Sequence, residues 1–522
     1  MPYAARRQPV FARNVVATSQ PLATQAGVAM LARGGNAVDA AVATAIALTV
    51  VEPCSNGVGS DLFALVWDGR ELAGLNASGR APAAWSTARF AGRAAMPERG
   101  YDTVTIPGAV SGWVELSRRY GKLPFADLFE PAIRHARDGF AVSPGIVDKW
   151  HRAVPLMPQG LGWQSQFLPH GRAPSIGERF VPPSIARTLE TIAATCGEAF
   201  YRGELAQAIV AHSNANGGAH ALADFAAHHA DWVAPIEHGY RGIAVHEIPP
   251  GTQGIAALMA LGILEHFDLP GMDPDSLESQ HVQIEAMKLA FADVYRYVAD
   301  PAAMQMPVAA MLDDGYLAKR AQMIDRTRAQ DFGPGTPPNA GTVYLCAADE
   351  HGMMVSLIQS NYMGFGSGVV VPGTGISLQN RGAGFTLDPA HPNVVAGGKR
   401  PFHTIVPAFV TRDGEPLMAF GVMGGPMQPQ GHVQVIVRMF DAGMNPQATL
   451  DAPRWKVDTG LSIDLESTAS PALRAQLIAL GHRMEEKADS YMDFGAGQII
   501  VRDDAGYIAA SDPRRDGQAA GF

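Results

Sequence analysis

Residue 342 is a threonine at the head of an apolar alternation, Val343-Tyr344-Leu345-Cys346-Ala347-Ala348, which has the period of a half-buried strand. Its hydroxyl becomes a useful nucleophile only where a base takes its proton. Taken alone, a Thr that opens a strand is an ordinary strand residue. Turn residues 349–352 lead into a second apolar run, 353–357, so the two runs read as a hairpin, with Ser360 near the end of the partner strand. Farther on, Gly424-Gly425 ends a predicted strand and precedes a predicted helix. Two backbone N–H groups at such a place can bind the oxyanion of a tetrahedral intermediate, although a bare Gly-Gly pair also serves as a plain turn.

Other chemistries lack their residues. Gly364-Phe365-Gly366-Ser367-Gly368 is no nucleophile elbow, because Ser367 has Phe365 and Val369 where that motif needs glycines. It also lacks the strand–glycine–helix context of a dinucleotide site. His228-His229 and the other histidines show no zinc-ligand spacing. Cys54, Cys196 and Cys346 make neither a metal motif nor a disulfide framework. No Walker motif occurs, and no metal or cofactor is expected.

The chemistry-bearing residues fall in a definite order. Thr342 opens Thr-x-x-x-Cys, and the Asp349–Gly352 turn, Ser360, the Phe-Gly-Ser-Gly loop 365–368, Lys399-Arg400-Pro401 and Gly424-Gly425 follow. Near the N-terminus stand Gly34-Gly35-Asn36-Ala37-Val38-Asp39-Ala40-Ala41 and then Gly57-Val58-Gly59. This series resembles the gamma-glutamyltranspeptidase family of N-terminal nucleophile hydrolases over nearly the whole chain. The resemblance implies a precursor that cuts itself between Gly341 and Thr342. The products would be a large subunit, 1–341, and a small subunit, 342–522, interwoven into one domain. The implied fold is α+β, a four-layer αββα sandwich. The freed α-amine of Thr342, with a reference pKa of about 7.7–8.0, would be the base for its own hydroxyl. Gly341 suits the cut because glycine tolerates unusual φ/ψ. Ser360 would hydrogen-bond the nucleophile, and Gly424 and Gly425 would hold the oxyanion.

The substrate pocket departs from the family pattern. Where transpeptidases place an Arg for the γ-glutamyl α-carboxylate, this chain has Ser78, and the nearest guanidinium is Arg80. Where they place an acid for the α-amine, it has Gly384; paired serines become His403-Thr404, and a strand-end Asn becomes Tyr362. Loop 386–398 is short for a pocket lid. Losing an acid while gaining Arg381 favours anions without an amine, since Arg suits a carboxylate. The segments around Arg381, His403 and Gly425 resemble those of members that hydrolyse oxamate to oxalate and ammonia. The expected substrate is a small carboxylate-bearing amide, with Arg80, Tyr362, Arg381, His403 and Thr404 as candidate binding residues. Glutathione hydrolysis or γ-glutamyl transfer, a cephalosporin-type acylase, and an uncleaved binding protein are the rival readings.

Elements to position these residues are legible in the periodicity. Helices are predicted over 21–32, from Asn36 to about 51, 107–120, 125–139, 184–194, 204–214, 254–266, 278–299, 428–441 and 471–480. The helix over 278–299 is amphipathic and is expected on the sheet. Strands are predicted over 62–67, 243–248, 404–411, 417–422, 498–502 and 507–511, and 334–341 is a Pro/Gly/Asn-rich linker. Repeats and low-complexity tracts are absent.

Composition bounds the partners. With 522 residues, 47% hydrophobic and 17% charged, the chain has material for a large core. A net charge of −10 argues against nucleic acid or an anionic membrane. Residues 1–16 lack the apolar core of a secretory signal, and the apolar run 40–51 is too short to span a bilayer and reads as a buried helix. A cytoplasmic, reducing location is expected. The partners expected are a small amide substrate and the two subunits of one precursor, with a dimer of heterodimers as one assembly open to them.

Overall fold

The structure, a computed structural model, describes residues 7–182, 184–333, 341–485 and 493–522. Its frame is two seven-stranded antiparallel sheets. Up to the predicted linker the strands are β1 (Val10–Ala12), β2 (Val15–Thr18), β3 (Asp61–Trp67), β4 (Leu72–Ala77), β5 (Asp231–Val233), β6 (Ile236–Tyr240) and β7 (Ile243–Glu247). Beyond it come β8 (Gly341–Ala348), β9 (Met354–Tyr362), β10 (Ala408–Arg412), β11 (Glu415–Met423), β12 (Ala496–Asp503), β13 (Gly506–Ser511) and β14 (Gln518–Gly521). One sheet runs β1-β13-β12-β11-β10-β7-β6 and the other β14-β2-β8-β9-β3-β4-β5. Strands from the two sides of the linker thus lie next to one another in both sheets. Residues 334–340 of the predicted linker lie outside the described residues.

Period-2 alternation explains the layering. On β8, Val343, Leu345 and Ala347 pack beneath helix α2 (Ala37–Val51), while α1 (Pro21–Ala32) lies on the neighbouring β2 and on β14. Tyr344, Cys346 and Ala348 face the other sheet, in a core with Phe409, Ala419, Met423 and Ile500. The alternation predicts a half-buried strand, but both faces of β8 are covered. Tyr, Cys and Ala are apolar enough to line the space between two sheets. Helix α2 is buried along its whole length, as expected, and Asn36 and Asp39 close its N-terminus as a capping box. Helix α3 (Ala109–Tyr120) lies on β3 and β4.

Helix α4 (Ile255–Leu264) covers β6 and β7, and α6 (Met427–Ile436) covers β11. The result is a four-layer αββα sandwich. Helix α5 (Leu277–Tyr297) packs chiefly on α4 rather than on the sheet, so the expected sheet-facing helix is one layer farther out. Its buried residues go nearly all round, which a single apolar stripe did not anticipate. The strand expected from 404 starts only at Ala408. Residues 404–406 instead bond to side chains, with Val406 N–H donating to Gln428, and Pro407 has no N–H to give a ladder. The helix expected over 125–139 splits into a 3-10 turn, Phe125–Phe129, and a helix, Glu130–Asp138, with Pro131 in its first turn. All three cysteines are free. Among the described residues no helix is long and apolar enough to cross a membrane.

Candidate active site

Thr342 sits where the β8–β9 ladder slips. Gly341 pairs with Tyr362, yet Val343 pairs with Gln359, so β9 carries one extra residue opposite Thr342. Such a bulge re-aims side chains at a strand end. Here it sets the Thr342 hydroxyl 3.2 Å from that of Ser360, which also accepts the Tyr362 N–H at 2.8 Å. Both hydroxyl residues are fully buried. Tyr362 has a left-handed backbone, φ +74°, uncommon for a bulky residue and a mark of a constrained site.

That turn places the Tyr362 ring under Arg381, whose guanidinium carbon is 4.1 Å from the ring centre. Arg381 starts a 3-10 turn, Arg381–Gly384, and is itself fully buried. Its Nη1 donates to Thr404 Oγ1 at 2.9 Å, while Nε and Nη2 meet no acceptor among the described residues. Burial pulls its pKa down to about 10, opposed by Tyr362 and Asp61, so the group is cationic at neutral pH. Two unpaired N–H groups on a buried cation are costly, and their spacing matches a carboxylate.

The other predicted residues are reached from this pair. Thr404 also accepts, at its carbonyl, a hydrogen bond from Gln253 Nε2, which bonds the carbonyl of Gly425 at 2.8 Å as well. Gly424 and Gly425 lie between β11 and α6 with φ +125° and +60°. A Cβ on Gly424 would come within 2.9 Å of the Gly495 backbone, so only glycine fits there. Arg80, by contrast, pairs with Asp231 at 3.4 Å with 35% of its side chain exposed. Arg400 shares the same carboxylate at 2.6 Å. The structure therefore joins Thr342, Ser360, Tyr362, Arg381, Thr404 and Gly425 through contacts, and it engages Arg80 elsewhere.

Asp61 was missed by the sequence reading. It starts β3 directly opposite Ser360, so its side chain lies on the same face of the sheet. Its Oδ1 accepts N–H groups from Gly79 at 3.1 Å and Gly108 at 3.2 Å. Its Oδ2 lies 3.2 Å from His403 Nε2. Burial raises the Asp61 pKa to about 7, against the pull of the Arg381 charge and the backbone donors. His403 is pushed well below its usual range by burial and by the charges of Arg381 and Arg400. Its Nδ1 accepts the Ile405 N–H at 3.4 Å, which leaves Nε2 of the neutral ring to donate to Asp61. The signal for Asp61 was a lone carboxylate at the head of the apolar run 62–67. For Gln253 the sequence marks only a turn, Pro249-Pro250-Gly251-Thr252-Gln253-Gly254.

Ser367 donates to the Leu378 carbonyl at 2.7 Å and braces its loop. Among the described residues, His281, Glu285 and His482 form a group of metal-ligand type. Its polar atoms are already engaged: His281 Nδ1 with His482 Nε2 at 2.9 Å, His281 Nε2 with the Asp325 carbonyl at 3.0 Å, and Glu285 with Lys288 at 2.8 Å. The Lys288 ammonium supplies the positive charge there.

A family model described as Gamma-glutamyltranspeptidase matches residues 23–522. The chain belongs to the gamma-glutamyltranspeptidase family. Within this family it is 37% identical to a glutathione hydrolase-like YwrD proenzyme of Bacillus subtilis, over 98% of both chains. It is 36% identical to an oxamate amidohydrolase proenzyme of Klebsiella pneumoniae, over 96% of this chain and 97% of that one. Among solved structures, a cephalosporin acylase from Bacillus halodurans superimposes with a TM-score of 0.95 at 47% identity, covering 100% of this chain and 98% of that one. These three proteins carry different names, glutathione hydrolase-like, oxamate amidohydrolase and cephalosporin acylase.

Proposed function

We propose that this chain is a self-processing amidohydrolase that cuts itself before Thr342 and then hydrolyses a small carboxylate-bearing amide, with oxamate the leading candidate. The observation that carries the reading is the buried guanidinium of Arg381, with Nε and Nη2 unpaired, in the contact chain that includes Thr342 and Ser360. In this reading the Thr342 α-amine takes the proton of its own hydroxyl, which attacks the amide carbon. Ser360 orients that hydroxyl, and the N–H groups of Gly424 and Gly425 stabilise the oxyanion. Ammonia leaves, and water then releases the acid from the ester. Arg381 holds the substrate carboxylate, Tyr362 supports the guanidinium from below, and Thr404 fixes its fork. The self-cut gives fragments 1–341 and 342–522, held together by the shared sheets. The names of the two curated relatives above, both proenzymes, support self-processing.

A second reading, γ-glutamyl hydrolysis, is favoured by Asp61, which offers the site a carboxylate for an α-ammonium. Asp61 already accepts hydrogen bonds from Gly79, Gly108 and His403, so its oxygens are engaged before an ammonium arrives. An ammonia- and amine-release comparison of the purified protein on oxamate, glutamine, glutathione and glutaryl amides separates the readings. Oxamate turning over best supports the first; glutathione turning over best replaces it with the second.

A further inference from the structure

Three adjacent strands carry Thr342, Ser360 and Asp61 in one row. Thr342 touches Ser360, and Ser360 stands opposite Asp61 in the β9–β3 register. The Asp61 carboxylate receives the Gly79 and Gly108 N–H groups and His403 Nε2. None of these donors carries a net charge when His403 is neutral. The largest charge favouring an ionised Asp61 is that of Arg381, with Arg400 a lesser one. Arg400 is already paired with Asp231.

Empty, the site sets the Asp61 carboxylate against the Arg381 guanidinium. A substrate carboxylate on the free Nε and Nη2 of Arg381 adds a second negative charge among buried residues, since Arg381 holds Thr404 and the adjacent His403 holds Asp61. Two carboxylates that share a buried site cannot both ionise cheaply, and one keeps a proton. The substrate acid, beside an electron-withdrawing amide carbonyl, is the stronger acid and stays ionised. We propose that Asp61 is a specificity residue that takes one proton from solvent when a carboxylate-bearing amide docks on Arg381. The inference rests on Arg381 being the carboxylate anchor. With Asp61 neutral, the carboxylate beside the Thr342–Ser360 pair no longer offers an ammonium a charge, so the bound state favours an anion that carries no amine. Burial already holds Asp61 at about 7, which puts the exchange in the neutral range.

The charged and titratable groups facing Asp61 are Arg381, Arg400, His403 and Tyr201, joined after the self-cut by the α-amine of Thr342. Burial pushes His403 down and Tyr201 up, so both stay neutral. Among these groups the Thr342 amine is the competitor for the proton.

Titration calorimetry of the mature enzyme with oxalate, in buffers of contrasting ionisation heat, reads the uptake. Wild type should take up close to one proton per site at about pH 8 and almost none at about pH 5.5. Asp61→Asn should bind oxalate with no uptake. Its KM for oxamate should stay flat from about pH 7 to 9, where the wild-type KM climbs about tenfold per pH unit. Infrared difference spectra of wild type with carbon-13-labelled oxalate cover the case in which Asp61→Asn does not fold. Uptake by Asp61 adds an unlabelled carboxylic-acid C=O band, whereas protonation of the amine adds none. Oxalate binding without uptake, uptake that survives in Asp61→Asn, or no acid band overturns the role of Asp61 and leaves the Arg381 anchor standing. Failure of oxalate to bind wild type, or unchanged binding in Arg381→Ala, overturns the anchor and this inference with it.

Discussion

The guanidinium of Arg381 rests 4.1 Å above the ring centre of Tyr362, and Tyr362 reaches that place through a left-handed backbone, φ +74°. The N–H of the same residue donates to Ser360 Oγ, which touches Thr342. One irregular strand end therefore fixes both the proposed nucleophile and the proposed anion anchor. A shift of this turn would disturb the two together.

Self-cleavage is the first expectation. Denatured wild-type protein should give two masses, those of 1–341 and 342–522, and Thr342→Ala should give one full-length chain. Under native conditions the two wild-type fragments should migrate together, because strands from both lie side by side in each sheet. Active wild type that stays in one piece would end the proposed mechanism.

Arg381 should matter for substrate far more than for the self-cut, which needs no bound anion. Hydrogen bonds to a charged group contribute roughly 1.5–3 kcal/mol. Arg381→Ala should therefore lower kcat/KM on oxamate about ten- to over a hundred-fold. Arg381→Lys should recover only part of this, since an ammonium lacks the planar fork. Steady-state ammonia release and a denaturing gel on the same samples check both halves.

The pH profile should show the amine. If the α-amine of Thr342 is the base, kcat/KM of Asp61→Asn, freed of the Asp61 titration, falls on the acid side through a group that titrates as an amine, near its reference value of about 7.7–8.0. Acetylating the mature N-terminus should abolish activity with the hydroxyl intact. Full activity after that modification would assign the base to a side chain.

Stability should carry the mark of Asp61. Its folded pKa, about 7, lies above the ordinary 3.8, so between these values the folded chain holds the extra proton. Stability is then lost as pH rises through that window, at up to about 1.4 kcal/mol per pH unit. Asp61→Asn lacks that slope. In a Thr342→Ala background, its thermal midpoint relative to Asp61 should rise between pH 5 and pH 8. An equal difference at both pH values would show that Asp61 does not titrate between them.

What the sequence by itself determined is local. Asn36 and Asp39 close a helix start because a capping box spans four residues, and α1 and α2 follow from composition and a Gly-Gly stop. Alternation from Val343 to Ala348 marks a strand, and Gly424-Gly425 marks a break before a helix. The order of these motifs is enough to place the chain in its family, and with it the layered fold. Burial of both faces of β8, however, depends on which sheet lies opposite, and no period within the strand records that. Arg80 and Arg381 are equivalent on paper; packing gives the first to Asp231 and leaves the second buried with two free N–H groups. Asp61 joins Ser360 from almost 300 residues away, and Gln253 bridges Thr404 and Gly425 from a Pro/Gly-rich loop, 249–254, whose composition marks a turn but not its partners. Those relationships exist only once distant strands pair, because burial and the charges that share it are properties of the assembled sheets and not of any segment.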